Sequence, residues 1–432
     1  MKNFKWWSVI AAAAAGVALS SCGSSSGSSD TVSLRVVNAT LTHRSIDLLA
    51  NATAILTGTA ADTVSTYAAP AAGSLILQVN DTTTGLSLVT SSPSLTGGNH
   101  YALVAYESGG AVKTAVLAED TTAPAANSAQ IRVYDAAVSA GKVDVYVTDP
   151  NTDLATVGPS TSFTSISSAV SSSLLSLTAS TAGTNYRVRV TGSGNKADLR
   201  LDIPLITLTS QQIVTVVLTP TSGGVLMNGS SLVQQGAYAA TRNTNARVRL
   251  AAAVSGGAQV AASAGSTVID AGSAAPAFGF YVLVPAANAL NATVGGQSVQ
   301  VSNASALTAG SDATLLVYGP SNAATASLVL DDNTLPTDAT TVKLRLVNGV
   351  TGTVGAITLT ANNSPVGIGV AGGAAAASYV SLALPTNSNT FNLILTSSVA
   401  GSLLNLNTNF NANTVYTVLA AGDVTAPQLL IR

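Results

Sequence analysis

Charged and aromatic residues are both scarce in this chain of 432 residues. They make up 8% and 4% of it, whereas hydrophobic residues make up 47%. The hydrophobic share is too high for a disordered polymer. Beyond the first 22 residues, no run approaches the roughly 18 to 20 apolar residues of a membrane-spanning helix. The net charge of −2 and the lack of a basic tract argue against nucleic-acid binding, because phosphates must be neutralised by Lys and Arg.

The single cysteine, Cys22, follows a leader-like N-terminus. A short cationic start and an apolar stretch over residues 6–19 are typical of a secretory signal peptide. The residues that end this stretch, Leu19-Ser20-Ser21-Cys22, resemble the bacterial lipobox, in which the thiol is acylated before the leader is cleaved ahead of the cysteine. The alternative is an unmodified cysteine beside an ordinary cleavage site. One cysteine cannot form a disulfide within the chain, so its domains must be stabilised by core burial.

We therefore predict a signal peptide over residues 1–21, lipidation of Cys22 and a flexible Gly/Ser tether over residues 22–30. More than one acyl chain would anchor the protein stably to a membrane. Gly23 rather than an acidic residue follows the cysteine, which is typical of sorting to the outer membrane. The predicted location is thus the cell envelope, with the membrane as a partner through the N-terminal lipid.

A strand-like pattern recurs four times along the rest of the chain. In each copy, apolar residues alternate with polar ones around a basic residue, and these residues are Arg35, Arg132, Arg249 and Arg345, at spacings of 97, 117 and 96 residues. Alternation with a period of two is typical of a strand with one buried face. Repeats of this length are whole domains. We predict four, over residues 31–119 (copy one), 128–234 (copy two), 245–332 (copy three) and 340–432 (copy four).

Short strand patterns separated by turn signals, without a convincing amphipathic helix after the leader, predict an all-β fold. About seven strands per copy indicate tandem immunoglobulin-like antiparallel β-sandwich domains. Linkers are expected at residues 119–128, 234–245 and 331–340, where few apolar residues occur. A Ser/Thr-rich insertion at residues 151–173 is expected on a surface loop. With so few Lys and Glu residues to guard sheet edges, the protein is expected to self-associate when overproduced without its lipid.

Three sequence runs resemble the opening of the bacterial domain of unknown function family 4397, whose members begin with an Arg-Val-Val-His-Ala stretch and continue into a Val-Asp-Val-Tyr-Val strand. These runs are Arg35-Val36-Val37-Asn38-Ala39, Arg132-Val133-Tyr134-Asp135-Ala136 and Val143-Asp144-Val145-Tyr146-Val147. Tyr67, Pro70-Ala71-Ala72-Gly73 and Leu95-Thr96-Gly97 resemble later features of the family. Asn38 and Asp135 replace its His. The resemblance implies secreted or envelope-anchored sandwiches, often in tandem, and supplies no catalytic residues.

The two histidines, His43 and His100, both occur in copy one. A Ser/His/Asp triad could be assembled on paper from any Ser-rich chain, but no strand-turn-helix nucleophile elbow accompanies them. The case for a metal site is equally weak, because two isolated histidines lack further ligands nearby in the sequence. We interpret both as exposed loop residues and expect neither enzymatic activity nor a cofactor.

Several carboxylates are candidate cation ligands. Asp149, Asn151 and Asp153 have the spacing that opens a calcium loop, but Leu154 and Ser160 replace its Gly and Glu, which favours a hairpin turn rich in Asp and Asn. Asp331 and Asp332 could bridge a cation at a junction, although a solvated linker is the preferred interpretation. Asp47 and Asp144 are expected to point outward and to form cross-strand ion pairs beside Arg35 or Arg132.

Three classes of function remain open. The first is a non-catalytic, lipid-anchored envelope protein whose four sandwiches form a stalk or an interaction surface for a protein or glycan partner. The second is a surface adhesin or carbohydrate-binding module, which the lack of Trp after the leader makes less favoured. The third is an enzyme of cell-wall or polymer metabolism, for which no site can be assembled. The first is the preferred interpretation, with no specific binding residues assigned beyond Cys22.

Overall fold

A computed structural model describes residues 30–165, 167–352 and 354–432. The predicted signal peptide, Cys22 and the tether up to residue 29 lie outside these residues. The described chain is almost entirely β-structure. Its helices are 3₁₀ helices of three residues, Val138–Ala140, Leu154–Thr156, Ser255–Gly257 and Ala304–Ala306. No helix in the described residues is long and apolar enough to cross a bilayer.

The strands recur in the four copies in a similar order. Copy one contains β1 (Ser33–Ala39), β2 (Ser45–Ala50), β3 (Thr53–Ala60), β4 (Thr63–Val64), β5 (Gly73–Ser74), β6 (Leu77–Asp81), β7 (Ser87–Ser91), β8 (Ser94–Leu95), β9 (His100–Ser108) and β10 (Ala111–Ala118). The strands of copy two are β11 (Ser128–Asp135), β12 (Val143–Thr148), β13 (Thr161–Phe163), β14 (Val170–Ser171), β15 (Leu175–Thr178), β16 (Thr184–Gly192), β17 (Asn195–Leu208), β18 (Ile213–Pro220), β19 (Met227–Val233) and β20 (Tyr238–Thr241).

The second half of the chain repeats this arrangement. The strands of copy three are β21 (Asn245–Val254), β22 (Gln259–Ala264), β23 (Thr267–Ala274), β24 (Ala277–Phe278), β25 (Val282–Pro285), β26 (Leu290–Val294), β27 (Gln297–Val299), β28 (Val301–Ser302), β29 (Asp312–Gly319) and β30 (Thr325–Asp331). Copy four contains β31 (Thr341–Asn348), β32 (Ile357–Ala361), β33 (Ser364–Val370), β34 (Val380–Ala383), β35 (Thr390–Ser397), β36 (Gly401–Asn409), β37 (Thr414–Ala421) and β38 (Gln428–Ile431).

Each copy has two main sheets, which confirms the predicted all-β sandwich fold. The first sheets have the orders β10-β9-β1-β4, β14-β11-β18-β19-β20, β24-β21-β29-β30-β28 and β34-β31-β37-β38. The second sheets have the orders β3-β2-β6-β7, β13-β12-β16-β17, β23-β22-β26-β27 and β33-β32-β35-β36. Most neighbours are antiparallel. In every copy, however, the opening strand pairs in parallel with a strand near the copy's end, as β1 does with β9.

A separate apolar core lies between the two sheets of each copy. In copy one, Leu34 and Val36 of β1 pack against Ile46 and Leu48 of β2, and all four side chains are fully buried. One face of the opening strand is therefore buried in a core, as the period-two pattern in the sequence predicts. At about 25 cal/mol per Å² of apolar surface, this burial is the main source of stability available to a chain without disulfides.

The opposite face of the opening strands is also buried, contrary to the sequence-based expectation of one buried face. The copies pack in pairs through their first sheets, so two further apolar clusters form between copies. The cluster between copies one and two contains Val37, Ala39, Val64, Ala102, Val104, Tyr106, Leu117, Tyr134, Ala136, Val138, Val217 and Leu232. The cluster between copies three and four contains Ala251, Ala253, Phe278, Leu316, Val347, Leu419 and Ala421.

Small residues allow the close approach of copies three and four. A Cβ atom built on Gly349 would lie 2.3 Å from the Cβ of Ala253. Any larger residue at position 349 would therefore separate the two sheets. The paired arrangement is thus encoded in residue size as well as in hydrophobicity.

Segments expected to be linkers or loops take part in this packing. Residues 234–245 include β20, which extends the first sheet of copy two by pairing with β19. The insertion at residues 151–173 supplies β13 and β14 to the two sheets of copy two, and Phe163 is buried. Glu119 and Asp331, each at the start of an expected linker, are buried as well. The low apolar content of these segments hid their contacts, which are strand pairing and polar interactions together with the buried ring of Phe163.

Candidate functional site

A buried polar cluster joins copies three and four around Asp331. The carboxylate of Asp331 is fully buried and lies between two guanidinium groups, 3.5 Å from Arg249 Nη2 and 3.6 Å from Arg345 Nη1. Tyr281 and Thr314 donate hydrogen bonds to Asp331 Oδ2 over 2.7 and 2.6 Å. Arg249 Nη2 also reaches Thr417 Oγ1 of copy four at 2.7 Å. The cluster therefore ties the two copies together through charge-assisted hydrogen bonds.

The tyrosines of this cluster act as donors. Burial, together with the charge of Asp331, raises the pKa of Tyr281 and of Tyr379 above the usual value for a phenol. Both side chains therefore stay protonated at neutral pH. Tyr379 OH lies 3.3 Å from Asp331 Oδ1, and the ring of Tyr281 lies 4.3 Å beneath the guanidinium of Arg249. Hydrogen bonding and cation–π contact thus compensate for the desolvation of the arginine.

An equivalent cluster joins copies one and two around Glu119. Arg35 forms a short ion pair with Glu119, and Tyr67 donates a short hydrogen bond to the same carboxylate. Arg35 also donates to two backbone carbonyls of copy two, Val233 at 3.1 Å and Gly236 at 2.9 Å. Arg132 Nη2 donates to the carbonyl of the residue before Glu119, as Arg345 Nη1 does to the residue before Asp331. The recurring arginines are therefore junction residues.

The two pairs of copies are also in contact. Asp312 at the start of β29 is fully buried, and its carboxylate binds Arg247 through two hydrogen bonds of 2.8 and 2.5 Å. Asn333 donates to the same carboxylate over 2.6 Å, and its backbone N–H donates to Gly223 O of copy two over 3.0 Å. Burial raises the pKa of Asp312, although its Arg247 partner opposes that shift. The four copies thus form a continuous set of contacts.

A cleft of about 900 Å³ lies where these contacts converge. It is bordered by the turn between β9 and β10 in copy one, by residues 138–139 of copy two, by residues 332–339 and by Asn413 of copy four. Leu335 N donates to Ser139 O over 2.9 Å, which fixes residues 332–339 against copy two. Gly110, with a φ of 76°, forms the turn on which Thr337 packs. This cleft is the candidate functional site.

The cleft is lined by groups of both charges beside aliphatic side chains. Lys113 is exposed and donates to Ser108 Oγ and Ser167 O, each at 3.3 Å. Glu107 accepts hydrogen bonds from both the N–H and the hydroxyl of Thr42 on the other side of the turn. Leu335 supplies apolar surface. Such a lining can bind a partner through paired charges, hydrogen bonds and a small apolar contact.

His43 also borders the cleft, but it is half-buried rather than exposed as expected. Its Nδ1 atom lies 2.9 Å from Asp81 Oδ2, and this hydrogen bond, together with those from Thr84 and Thr83, lowers the pKa of Asp81 to about 2. His100 begins β9 instead of lying in a loop, pairs with Asp120 at 3.3 Å and contacts the Tyr67 ring edge-on. The structure therefore does not bring the two histidines together, and each has its own carboxylate partner.

The carboxylates considered for cation binding have other partners. Asp153 caps the 3₁₀ helix Leu154–Thr156 by accepting a hydrogen bond from Ala155 N. Asp331 is not part of a solvated linker, because it is buried between two arginines as described above. Asp332 is half-exposed and binds Lys343 Nζ over 2.7 Å. Within the described residues, no group of three potential metal-ligating side chains occurs.

The predicted ion pairs of Asp47 and Asp144 do not form. Asp47 Oδ1 accepts hydrogen bonds of 2.7 Å from both Gly58 N and Thr82 Oγ1. Asp144 is buried and accepts a hydrogen bond of 2.7 Å from Gly194 N. The expectation was wrong because these strands belong to the second sheets, whereas the arginines lie on the first sheets. Asp47 instead binds strand β3 and the residue after β6, and Asp144 fixes the turn between β16 and β17.

The comparisons with known proteins agree with the resemblance seen in the sequence. Residues 32–146 match a domain of unknown function (DUF4397). The match covers copy one and the start of copy two through β12. A crystal structure of a candidate cell adhesion protein from Bacteroides uniformis aligns with 49% of this chain and 98% of its own chain, at 12% identity and a TM-score of 0.20. That score is too low to carry an argument. No curated protein matches the chain.

Proposed function

We propose that this chain is a lipid-anchored cell-envelope protein of four β-sandwich domains that acts, without catalysis, as an interaction surface. The observation that supports this proposal is the cleft, because it is bordered by segments far apart in the sequence and held by contacts between copies. The paired packing of the copies favours a compact interaction surface over an extended stalk. The alternative function is a surface adhesin or a carbohydrate-binding module. In that case the protein would face the outside of the cell, or its partner would be a glycan.

The mixed lining of the cleft suits a polypeptide partner. Lys113, Glu107 and Asp332 offer both charges within one cleft, and Leu335 and Pro336 add apolar surface. An extended peptide can match such a surface with side chains of both charges and with its backbone amides. A photo-crosslinking amino acid at Thr337, beside the turn, tests this idea in intact cells. A matched probe at Val399, which is 65% exposed outside the cleft, is the control.

We expect protein adducts from position 337 that are absent from position 399. Periodate-sensitive adducts at 337 would favour a glycan partner instead. Equal labelling at both positions, or none at either, would contradict the assignment of the cleft as the interaction surface.

Cell fractionation tests the anchor, with the Cys22→Ala variant as a control, and protease treatment of intact cells tests the orientation. Retention of the protein in the membrane fraction that is lost in Cys22→Ala supports lipid anchoring. Digestion in intact cells favours an outward-facing adhesive role, whereas protection until the outer membrane is opened favours a periplasmic one. Release of the wild-type protein into the medium would refute the lipid anchor.

A further inference from the structure

Strand β36, Gly401–Asn409, is an open edge of the second sheet in copy four. On one side it pairs with β35, and no strand of the described residues pairs with it on the other side. Among the described residues, no side chain or loop outside that ladder forms a hydrogen bond with its backbone. A strand with an unpaired row of N–H and C=O groups is a template for pairing with another strand.

The stretch of sequence that contains this edge has no charged residue. From position 346 to position 422, the sequence has no Asp, Glu, Lys, Arg or His. Natural proteins protect open edges with charged side chains, proline, bulges or short strands. The opposite edge of the same sheet, β33, has such protection, because it carries Pro365 and two irregularities in its register with β32. β36 has none from Leu404 to Asn409, where the register with β35 is regular.

The equivalent edge strands of the other copies provide an internal comparison. β7 in copy one has five residues and β27 in copy three has three. β17 in copy two is longer, but it contains Lys196, Asp198, Arg200, Asp202 and Pro204 and has three register shifts. Of these four edges, β36 alone keeps a regular register over six consecutive residues, 404–409, without a charged side chain.

The side chains of β36 are complementary to a second copy of themselves. Asn405, Asn407 and Asn409 are exposed on one face of the strand. They already form amide hydrogen bonds within the sheet, since Asn392 Nδ2 donates to Asn405 Oδ1 at 2.6 Å and to Asn407 Oδ1 at 3.0 Å. An antiparallel two-fold pairing centred on Asn407 would place Asn405 opposite Asn409 of the second copy. This register matches amide with amide at all three positions and would extend the asparagine ladder across the junction.

We propose that β36 pairs antiparallel with β36 of a second copy of this chain, in a two-fold register centred on Asn407, to form a continuous eight-stranded sheet. The occupant is a second copy because a charged partner strand would leave its charges opposite an uncharged edge, whereas residues 405–409 of β36 match themselves in polarity and register. A two-fold pairing of this kind uses the same patch on both chains and closes on itself.

The pairing is expected to be weak in solution. In this register, residues 405–409 of the two strands pair over about 17 Å, at about 3.4 Å per residue. One such strand pair buries less than the roughly 1,000 Å² of a stable specific interface. Anchoring at a membrane would raise the local concentration of chains and favour pairing. The association is therefore measured on the full chain across a wide concentration range.

Sedimentation of the purified full-length protein in detergent tests the proposal with Asn407→Lys and Asn407→Glu. Either variant alone places two like charges opposite each other on the two-fold axis, so we expect the dimer dissociation constant to rise at least about fivefold. An equal mixture of the two variants should restore dimers to about the wild-type level. Ser87→Lys, on the equivalent edge of copy one, should leave the dissociation constant unchanged.

A wild-type protein that stays monomeric at every concentration would overturn the proposal. So would a dimer that both charged variants leave intact, since that dimer would use another surface. If a charged variant fails to fold, Asn407→Cys decides the question. Oxidation should link Asn407→Cys chains to each other in cell membranes but should not link Ser87→Cys chains, and the absence of the Asn407→Cys product would overturn the pairing.

Discussion

Position 135 lies three residues after the junction arginine of copy two, where copies one and four have Asn38 and Asn348. In both asparagines, the side-chain amide forms hydrogen bonds through its oxygen and its nitrogen. Their Oδ1 atoms accept from a backbone N–H two residues on, and their Nδ2 atoms donate to backbone carbonyls. Asp135 keeps only the acceptor role, toward Ala137 N at 3.0 Å. Because it is buried, the pKa of its carboxyl is raised to about 7.

This shift predicts a pH-dependent stability. Between about pH 4 and pH 7, the folded protein binds a proton at Asp135 that the unfolded chain releases, so stability falls as pH rises through this window and levels off above it. Asp135→Asn should remove this loss and raise the free energy of unfolding at pH 8 by roughly 1–3 kcal/mol, with little change at pH 4. Urea unfolding at the two pH values measures it. An equal change at both values would show that Asp135 does not titrate in this window.

The buried carboxylate of Asp331 gives a second prediction. Asp331→Ala leaves Arg249 and Arg345 buried without their counter-charge, and removing one partner of a buried ion pair costs about 3–5 kcal/mol. Asp332→Asn removes a half-exposed ion pair and should cost less than about 1 kcal/mol. Urea unfolding of both variants provides the comparison. Similar small losses in the two would mean that Asp331 is accessible to water.

At the level of strands, the sequence pattern predicts the opening strand of each copy and the second strands of copies one, two and four. It does not predict that the opening strands are buried on both faces. The pattern of Arg35 followed by Val37 and Ala39 places a cation among apolar residues on one face, and a cation at such a position predicts an exposed face. Arg35 is instead buried against Glu119, a residue expected in a linker. Because Glu119 lies so far along the chain from Arg35, the alternation of residues around Arg35 gives no sign of this ion pair.

Burial of this second face predicts the effect of truncating Leu316 in β29. The Leu316 side chain is fully buried in the apolar cluster between copies three and four. Leu316→Ala should therefore cost about 2–5 kcal/mol through lost burial and the cavity it leaves. Ile368→Ala in β33 is the matched control, since Ile368 is 74% exposed and its truncation should change stability by less than about 0.5 kcal/mol. Thermal and urea unfolding measure both, and a loss at Leu316 no larger than at Ile368 would refute the packed interface.

For the whole molecule, the sequence gives no indication of how the four copies pack against each other. The cleft combines Glu107 and Lys113 of copy one with Leu335, which lies more than two hundred residues further along the chain. Their spacing in the sequence does not predict that these three residues line one cleft, and none of them belongs to a recognisable motif. His43 was singled out for its chemistry, yet its position at the cleft depends on the same packing. The sequence predicts a solvated linker over residues 331–340, whereas residues 332–339 border the cleft and Asp331 is buried between two arginines.

The docking of residues 332–339 predicts resistance to proteolysis. Leu335 N is hydrogen-bonded to Ser139, Pro336 is buried, and the side chain of Lys343 holds Asp332 and Thr334. Proteinase K, which has broad sequence specificity, should therefore cut within residues 332–339 only on unfolding. Leu335→Ser with Lys343→Ala should release the segment and produce two fragments under native conditions, whereas Ile368→Ala should remain intact. Rapid native cleavage of the wild-type protein at this position would show that the segment behaves as an open linker and that the cleft does not persist in solution.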